Sequence, residues 1–176
     1  MKQRTKTRNI SLSAILVALG VVLLYFGSII SVLDLTMVAF AAMIIIFTVL
    51  ELGGFYPYLV YIATSLLTLL LLPDKNCALY YCLFGGIYPM FKSYFERCAK
   101  TISWILKLVF FNAVLTLIIA ITLFVIGAEA GDIGFEITVY LAGNLFFIFY
   151  DIALTRLITA YVLKFRKMLG IDKYFK

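Results

Sequence analysis

Histidine is absent from all 176 residues, and only 14% of the chain is charged. Without imidazole the chain lacks the commonest general base, the usual haem ligand and the middle member of a Ser-His-Asp arrangement. The three cysteines, Cys77, Cys82 and Cys98, do not fall at metal-binding spacings and have no histidine to complete a set. They read as buried or lipid-facing thiols, and neither a metal nor another cofactor is expected. No GxxxxGK[S/T] run is present either, so the loop that cradles nucleotide phosphates is missing. A lipid-modifying enzyme would need clustered carboxylates or a nucleophile beside its base, and the nine acids are dispersed. These absences together predict a protein that is not an enzyme.

What is abundant is apolar. Hydrophobic residues make up 65% of the chain, and the mean hydropathy is +1.10. A hydrocarbon core of roughly 30 Å takes about 20 helical residues to cross, and such runs use up most of the length. The composition therefore predicts an all-α polytopic membrane protein, a six-transmembrane-helix bundle forming a single membrane-embedded domain over 1–176. Candidate helices run over about 9–33, 36–51, 56–72, 77–96, 102–127 and 137–164. Asp34 is read as ending the first, Glu51-Leu-Gly-Gly as closing the second, and Pro73-Asp74-Lys75-Asn76 as a turn. A loop from Gly127 to Gly134 carries Glu129 and Asp132. The second and third runs, about 16 residues each, need local bilayer thinning or polar ends in the interface. The first run, Ile10 to Leu33, is too long for a signal-peptide core and lacks a small-x-small exit, so it is kept as a membrane helix.

Basic residues orient the bundle. With the N-terminus in the cytoplasm, every one of the 15 lysines and arginines except Lys75 falls at an inner end. A multi-pass cell-membrane protein with cytoplasmic N- and C-termini follows, and the net charge of +6 needs no nucleic acid to explain it. The basic tail from Lys164 either lies along the membrane surface or is simply solvated.

Leucine would fill a lipid-embedded helix well, yet Ser11, Ala14 and Ala18 put small side chains on one face of the first helix. Small faces let backbones approach in a bilayer, where helices associate by close packing rather than by water exclusion. This face serves either packing within the chain or docking of another membrane subunit.

Six helices in fewer than 200 residues, a short basic N-terminus and the AxxxA motif Ala14-Ile-Leu-Val-Ala18 resemble the substrate-binding S components of energy-coupling factor (ECF) vitamin transporters. The resemblance implies that Ala14 and Ala18 pack against the shared coupling subunit and that two cytoplasmic ATPases drive release. It further implies capture of a vitamin-like small molecule in an outward pocket built from the first outer loop and the outer halves of helices four to six. No signature of the riboflavin, thiamine, biotin or folate members is present. A non-transporting membrane scaffold, resembling the rod-shape-determining MreD proteins, is the alternative.

On the expected outer side, the residues able to contact a solute are Asp34, Thr36, Asn76, Tyr80, Tyr81, Glu136, Tyr140 and Asn144. Tyr140 and Asn144 are four apart and share a face, although tyrosines also populate the interfacial belt. The amide of Asn144 needs a partner, whether ligand, helix or backbone carbonyl. Charges inside apolar runs cost on the order of 2.5–3.5 kcal/mol unless paired. Asp151 is the costliest, and a pair with Lys107 or Lys92 is expected to bind helices together. In FGGIYPMFKSYFER, Gly85, Gly86 and Pro89 predict a break used for packing or as a hinge.

Overall fold

Ser13, Val17, Gly20, Leu24 and Gly27 recur at steps of four and three residues, which keeps them on one face of a helix, and all five are buried. They lie on α1 (Lys2–Ile29), which packs against α2 (Asp34–Phe47) and α3 (Tyr56–Leu71). The computed structural model describes residues 2–97, 99–123 and 137–165. The other helices are α4 (Lys75–Tyr80), α5 (Tyr88–Phe95), α6 (Lys100–Ile121) and α7 (Ile137–Ala160). The fold is all-α, with no strand among the described residues. Four helical stretches, Lys6–Ile29, Asp34–Leu52, Lys100–Ile121 and Ile137–Leu163, are long and apolar enough to cross a membrane. The chain is thus a membrane protein. Large apolar side chains such as Ile15, Leu70 and Val109 face outward, as lipid contact requires.

Contacts group the chain into two compact units, Met1–Lys107 and Leu108–Lys176. In the first, Val17, Leu24, Val38, Ile45, Val60 and Tyr81 form the heart of the core. Close approach is provided by glycine. A methyl group at Gly27 would stand 2.9 Å from Met37 Cβ and 3.2 Å from Cys77 Sγ, and one at Gly20 would stand 3.2 Å from the Thr64 side chain. Several buried hydroxyls are satisfied within their own helices. Ser13 donates to Asn9 O at 2.8 Å, Thr48 to Ile45 O at 2.7 Å and Thr68 to Thr64 O at 2.9 Å.

Two boundaries differ from the sequence expectation. Asp34 does not end α1. That helix finishes at Ile29, a short tight turn follows over Ser31–Leu33, and Asp34 opens α2, where a carboxylate suits the positive end of the helix dipole. At its other end α2 continues into a wider, π-type turn, Thr48–Leu52, closed by Gly53 N–H on Thr48 O at 3.0 Å. Gly53 and Gly54 then take φ of 61° and 56°, a region that side chains resist. The helix expected over 77–96 carries the break that Gly85, Gly86 and Pro89 predict: between α4 and α5 lies a second π-type turn, Tyr81–Gly85, closed by Gly86 N–H on Tyr81 O at 2.8 Å. The glycines serve packing there, since a methyl at Gly85 would meet Val38 Cγ1 at 2.5 Å.

The second unit is an antiparallel helix pair, the α6 portion from Leu108 onward and α7. Asn112 lies opposite Asn144, Thr116 opposite Tyr140, and Phe111 opposite Phe147, with the two rings stacked at 4.6 Å between centroids. Leu115 and Phe111 close over Gly143. Each step of four along α6 is thus met by a reverse step of four along α7.

Candidate functional site

The end of the first unit where α1 passes to α2 and α3 passes to α4 gathers two carboxyls. Asp34 is held there by the turn before α2 and is only 8% exposed. Asp74 follows Pro73, which cannot continue α3, and it caps α4 by accepting Asn76 N–H at 2.9 Å. The Asp34 and Asp74 carboxyls are electrostatic neighbours. Cys77 and Tyr80, the next residues along α4, are electrostatic neighbours of both. Two acceptor oxygens are enclosed without a partner, Oδ1 of Asp34 and Oδ1 of Asn76. Lys75 points elsewhere. Its ammonium donates to Leu69 O at 2.9 Å and Leu72 O at 2.8 Å, capping the last carbonyls of α3.

Three of the sequence-selected residues therefore meet at this end, Asp34, Asn76 and Tyr80, joined by Asp74 and Cys77. Thr36 is exposed and gives its hydroxyl to Leu33 O at 2.7 Å. Tyr81 lies in the core beside Tyr61, with ring centroids 6.3 Å apart. Glu136 lies outside the described residues, as do Cys98, the Gly127–Gly134 loop and the tail from residue 166.

Tyr140 and Asn144 share a face of α7 as their spacing predicts, and both find partners on α6. The two asparagines exchange hydrogen bonds, Asn112 Nδ2 to Asn144 Oδ1 at 2.9 Å and Asn144 Nδ2 to Asn112 Oδ1 at 3.0 Å. The second donor of each amide bonds four residues back, Asn112 to Leu108 O at 2.8 Å and Asn144 to Tyr140 O at 2.7 Å. The Tyr140 and Thr116 hydroxyls are 2.9 Å apart. These groups bind the helix pair together.

The buried lysines reveal a partner that the reading of charges inside apolar runs passed over. Lys92 and Lys107 converge on one oxygen, Oε1 of Glu96, at 2.7 and 2.9 Å. Glu96 stands four residues after Lys92, the spacing of helical neighbours, and that spacing was the available signal. Asp151 belongs to the second unit, where it is buried on α7 and its carbonyl accepts from Thr155 at 2.8 Å.

A cavity of about 210 Å³ opens at the opposite end of α2 from Asp34, lined by Val49, Gly54, Tyr58, Met90, Tyr94 and Arg97 among others. The Arg97 guanidinium lies 5.2 Å over the Tyr94 ring.

On α1 the small residues divide between two faces. Ser13, Gly20 and Gly27 face the core, whereas Ser11, Ala14 and Ala18 are exposed. No group of three or more potential ligands suited to a metal occurs among the described residues. No family model, curated protein or solved structure matches the chain, so its family is argued from these faces and clusters alone.

Proposed function

We propose that this chain is the substrate-binding membrane subunit of an ECF-type transporter, taking up a vitamin-like small organic molecule. The observation that carries the reading is the exposed Ser11-Ala14-Ala18 stripe on α1. The chain's own helices pack against the other small-residue face, so a stripe suited to close backbone approach is left toward the bilayer. Its occupant in this reading is the coupling subunit, and two cytoplasmic ATPases supply the energy for which the chain has no nucleotide motif. Both termini face the cytoplasm of a cell-membrane protein, following the distribution of lysine and arginine.

Replacing Ala14 and Ala18 together by tryptophan tests this reading. Both side chains are exposed, so the variant is expected to fold as the parent does. Copurification of the ATPases and coupling subunit with the tagged parent, and its loss in the variant, is the expected result. Parent protein that brings down cell-wall synthesis proteins instead would favour the MreD-like scaffold.

A further inference from the structure

The cavity at the far end of α2 is built in two parts. Val49, Pro57 and Met90 form its apolar wall, Pro57 and Met90 being buried, whereas Tyr58, Tyr94 and Arg97 are exposed and form its rim. No acidic residue lines it among those described. Arg97 makes no ion pair among the described residues, and Glu96, its neighbour in sequence, is held by Lys92 and Lys107 at 2.7 and 2.9 Å. The guanidinium rests 5.2 Å over the Tyr94 ring, a contact that satisfies none of its five N–H donors. Beside it α3 begins at Tyr56 without a side-chain cap, so the positive end of that helix adds to the same field. A cavity with a cation on its rim and no acid of its own calls for an anion.

The geometry points to a headgroup site for an anionic glycerophospholipid, its phosphate on Arg97 and its polar head in the cavity. The planar guanidinium matches two phosphate oxygens at once. Free phosphate would gain nothing from Val49, Pro57 and Met90, whereas the carbons of a glycerol head cover them. At about 210 Å³ the cavity is smaller than the roughly 300–1,000 Å³ that encloses a drug-sized ligand. It therefore takes a head and leaves the acyl chains outside. Phe55, exposed and stacked on Tyr58 at 6.5 Å between centroids, extends the rim as an apolar surface for those chains. Tyr58 and Tyr94 are the residue type that populates the level of lipid heads. In the proposed orientation this end lies in the cytoplasmic leaflet, where anionic lipids collect and basic pockets between helices take their heads. Only the choice of leaflet rests on that orientation; the site itself requires neither the transport nor the scaffold reading.

The test uses the full chain in micelles of an uncharged detergent, with thermal unfolding followed at fixed ionic strength. The additions are dihexanoylphosphatidylglycerol, which is anionic, dihexanoylphosphatidylcholine, which carries no net charge, and inorganic phosphate. A ligand that binds only the folded state raises the midpoint saturably. The phosphatidylglycerol is expected to do so at a concentration at least tenfold below either of the others. Arg97→Gln, at an exposed position, should weaken its apparent affinity at least tenfold. Ser93→Trp, which fills the cavity from an exposed lining position and leaves the charge in place, should do the same. Lys100→Gln removes an exposed cation that does not line the cavity, and it should bind as the parent does. The assignment is overturned if the phosphatidylglycerol gives no saturable rise, if phosphatidylcholine or phosphate matches it, or if Arg97→Gln binds as the parent does. Equal weakening in Lys100→Gln and Arg97→Gln also overturns it, since diffuse charge would then explain the effect. Copurification is scored separately: lipid binding without transporter partners keeps the site and removes the transport reading, and the converse removes only the site.

Discussion

The Asn112–Asn144 exchange permits a quantitative test of what holds the second unit together. Each amide spends one donor on its own helix and one on its partner, and each Oδ1 accepts from across the pair. Replacing Asn112 by leucine removes both interhelical bonds and leaves Asn144 with an unmet acceptor and one unmet donor, while its bond to Tyr140 O survives. Interhelical hydrogen bonds in membranes average about 0.6 kcal/mol and reach about 1.7, so the two exchanged bonds are worth roughly 1–2 kcal/mol. Either single variant adds the cost of orphaned amide groups and should lose about 1–3 kcal/mol. The double variant Asn112→Leu with Asn144→Leu leaves no orphan, so it should cost less than the sum of the singles, with a coupling energy of about 1–2 kcal/mol. Reversible unfolding in mixed micelles titrated with dodecyl sulfate, followed by circular dichroism, measures all four corners of the cycle. Coupling within about 0.5 kcal/mol of zero, the scatter of independent sites, would refute the exchange as a source of stability.

Other positions make sharper demands. Gly86→Ala would bring a methyl within 2.7 Å of Tyr61 Cε2, and Tyr61 is tethered by its hydroxyl to Cys82 O at 2.8 Å, so a loss of about 1–3 kcal/mol is expected in the same titration. Gly53→Ala meets no atom within 4 Å, but φ of 61° with ψ of −167° is backbone essentially reserved for glycine, so it should cost about 1–3 kcal/mol through strain alone; an unchanged midpoint would contradict that strain. Glu96→Gln removes the charge shared by two buried lysines. Breaking a fully buried pair costs about 3–5 kcal/mol, but Glu96 is 43% exposed and screened, which lowers the expected loss to about 1–3 kcal/mol. An unchanged unfolding midpoint would mean that the lysines are served by their other neighbours.

Which parts of this molecule could be read from its sequence follows from what a bilayer does to pattern. Length and hydropathy place long helices without difficulty, because covering hydrocarbon depends on the count of consecutive apolar residues; the stretch expected over 137–164 runs over Ile137–Leu163. Rotation about the helix axis is another matter. In water the buried face is the apolar one, but on α1 Val17 is buried while Ile15 is 65% exposed, and nothing in their hydrophobicity separates them. The contrast that remains is size and polarity, and α1 carries two small-residue sets, Ser13-Gly20-Gly27 and Ser11-Ala14-Ala18, whose spacings do not say which turns inward. The structure places the glycines where Met37, Cys77 and Thr64 leave no room for a methyl, and leaves the alanines outside. Polar pairing is hidden for the same reason: the need of Asn144 for a partner is evident from its depth, but the choice of Asn112 depends on the register between α6 and α7. Asp34 misleads in the opposite direction, since one acid after an apolar run suits a helix stop and a helix start equally, and only the tight turn over Ser31–Leu33 decides. That turn also brings Asp34 into the electrostatic neighbourhood of Asp74, forty residues away in sequence, so the carboxyl pair arises from the meeting of two turns that no local motif connects.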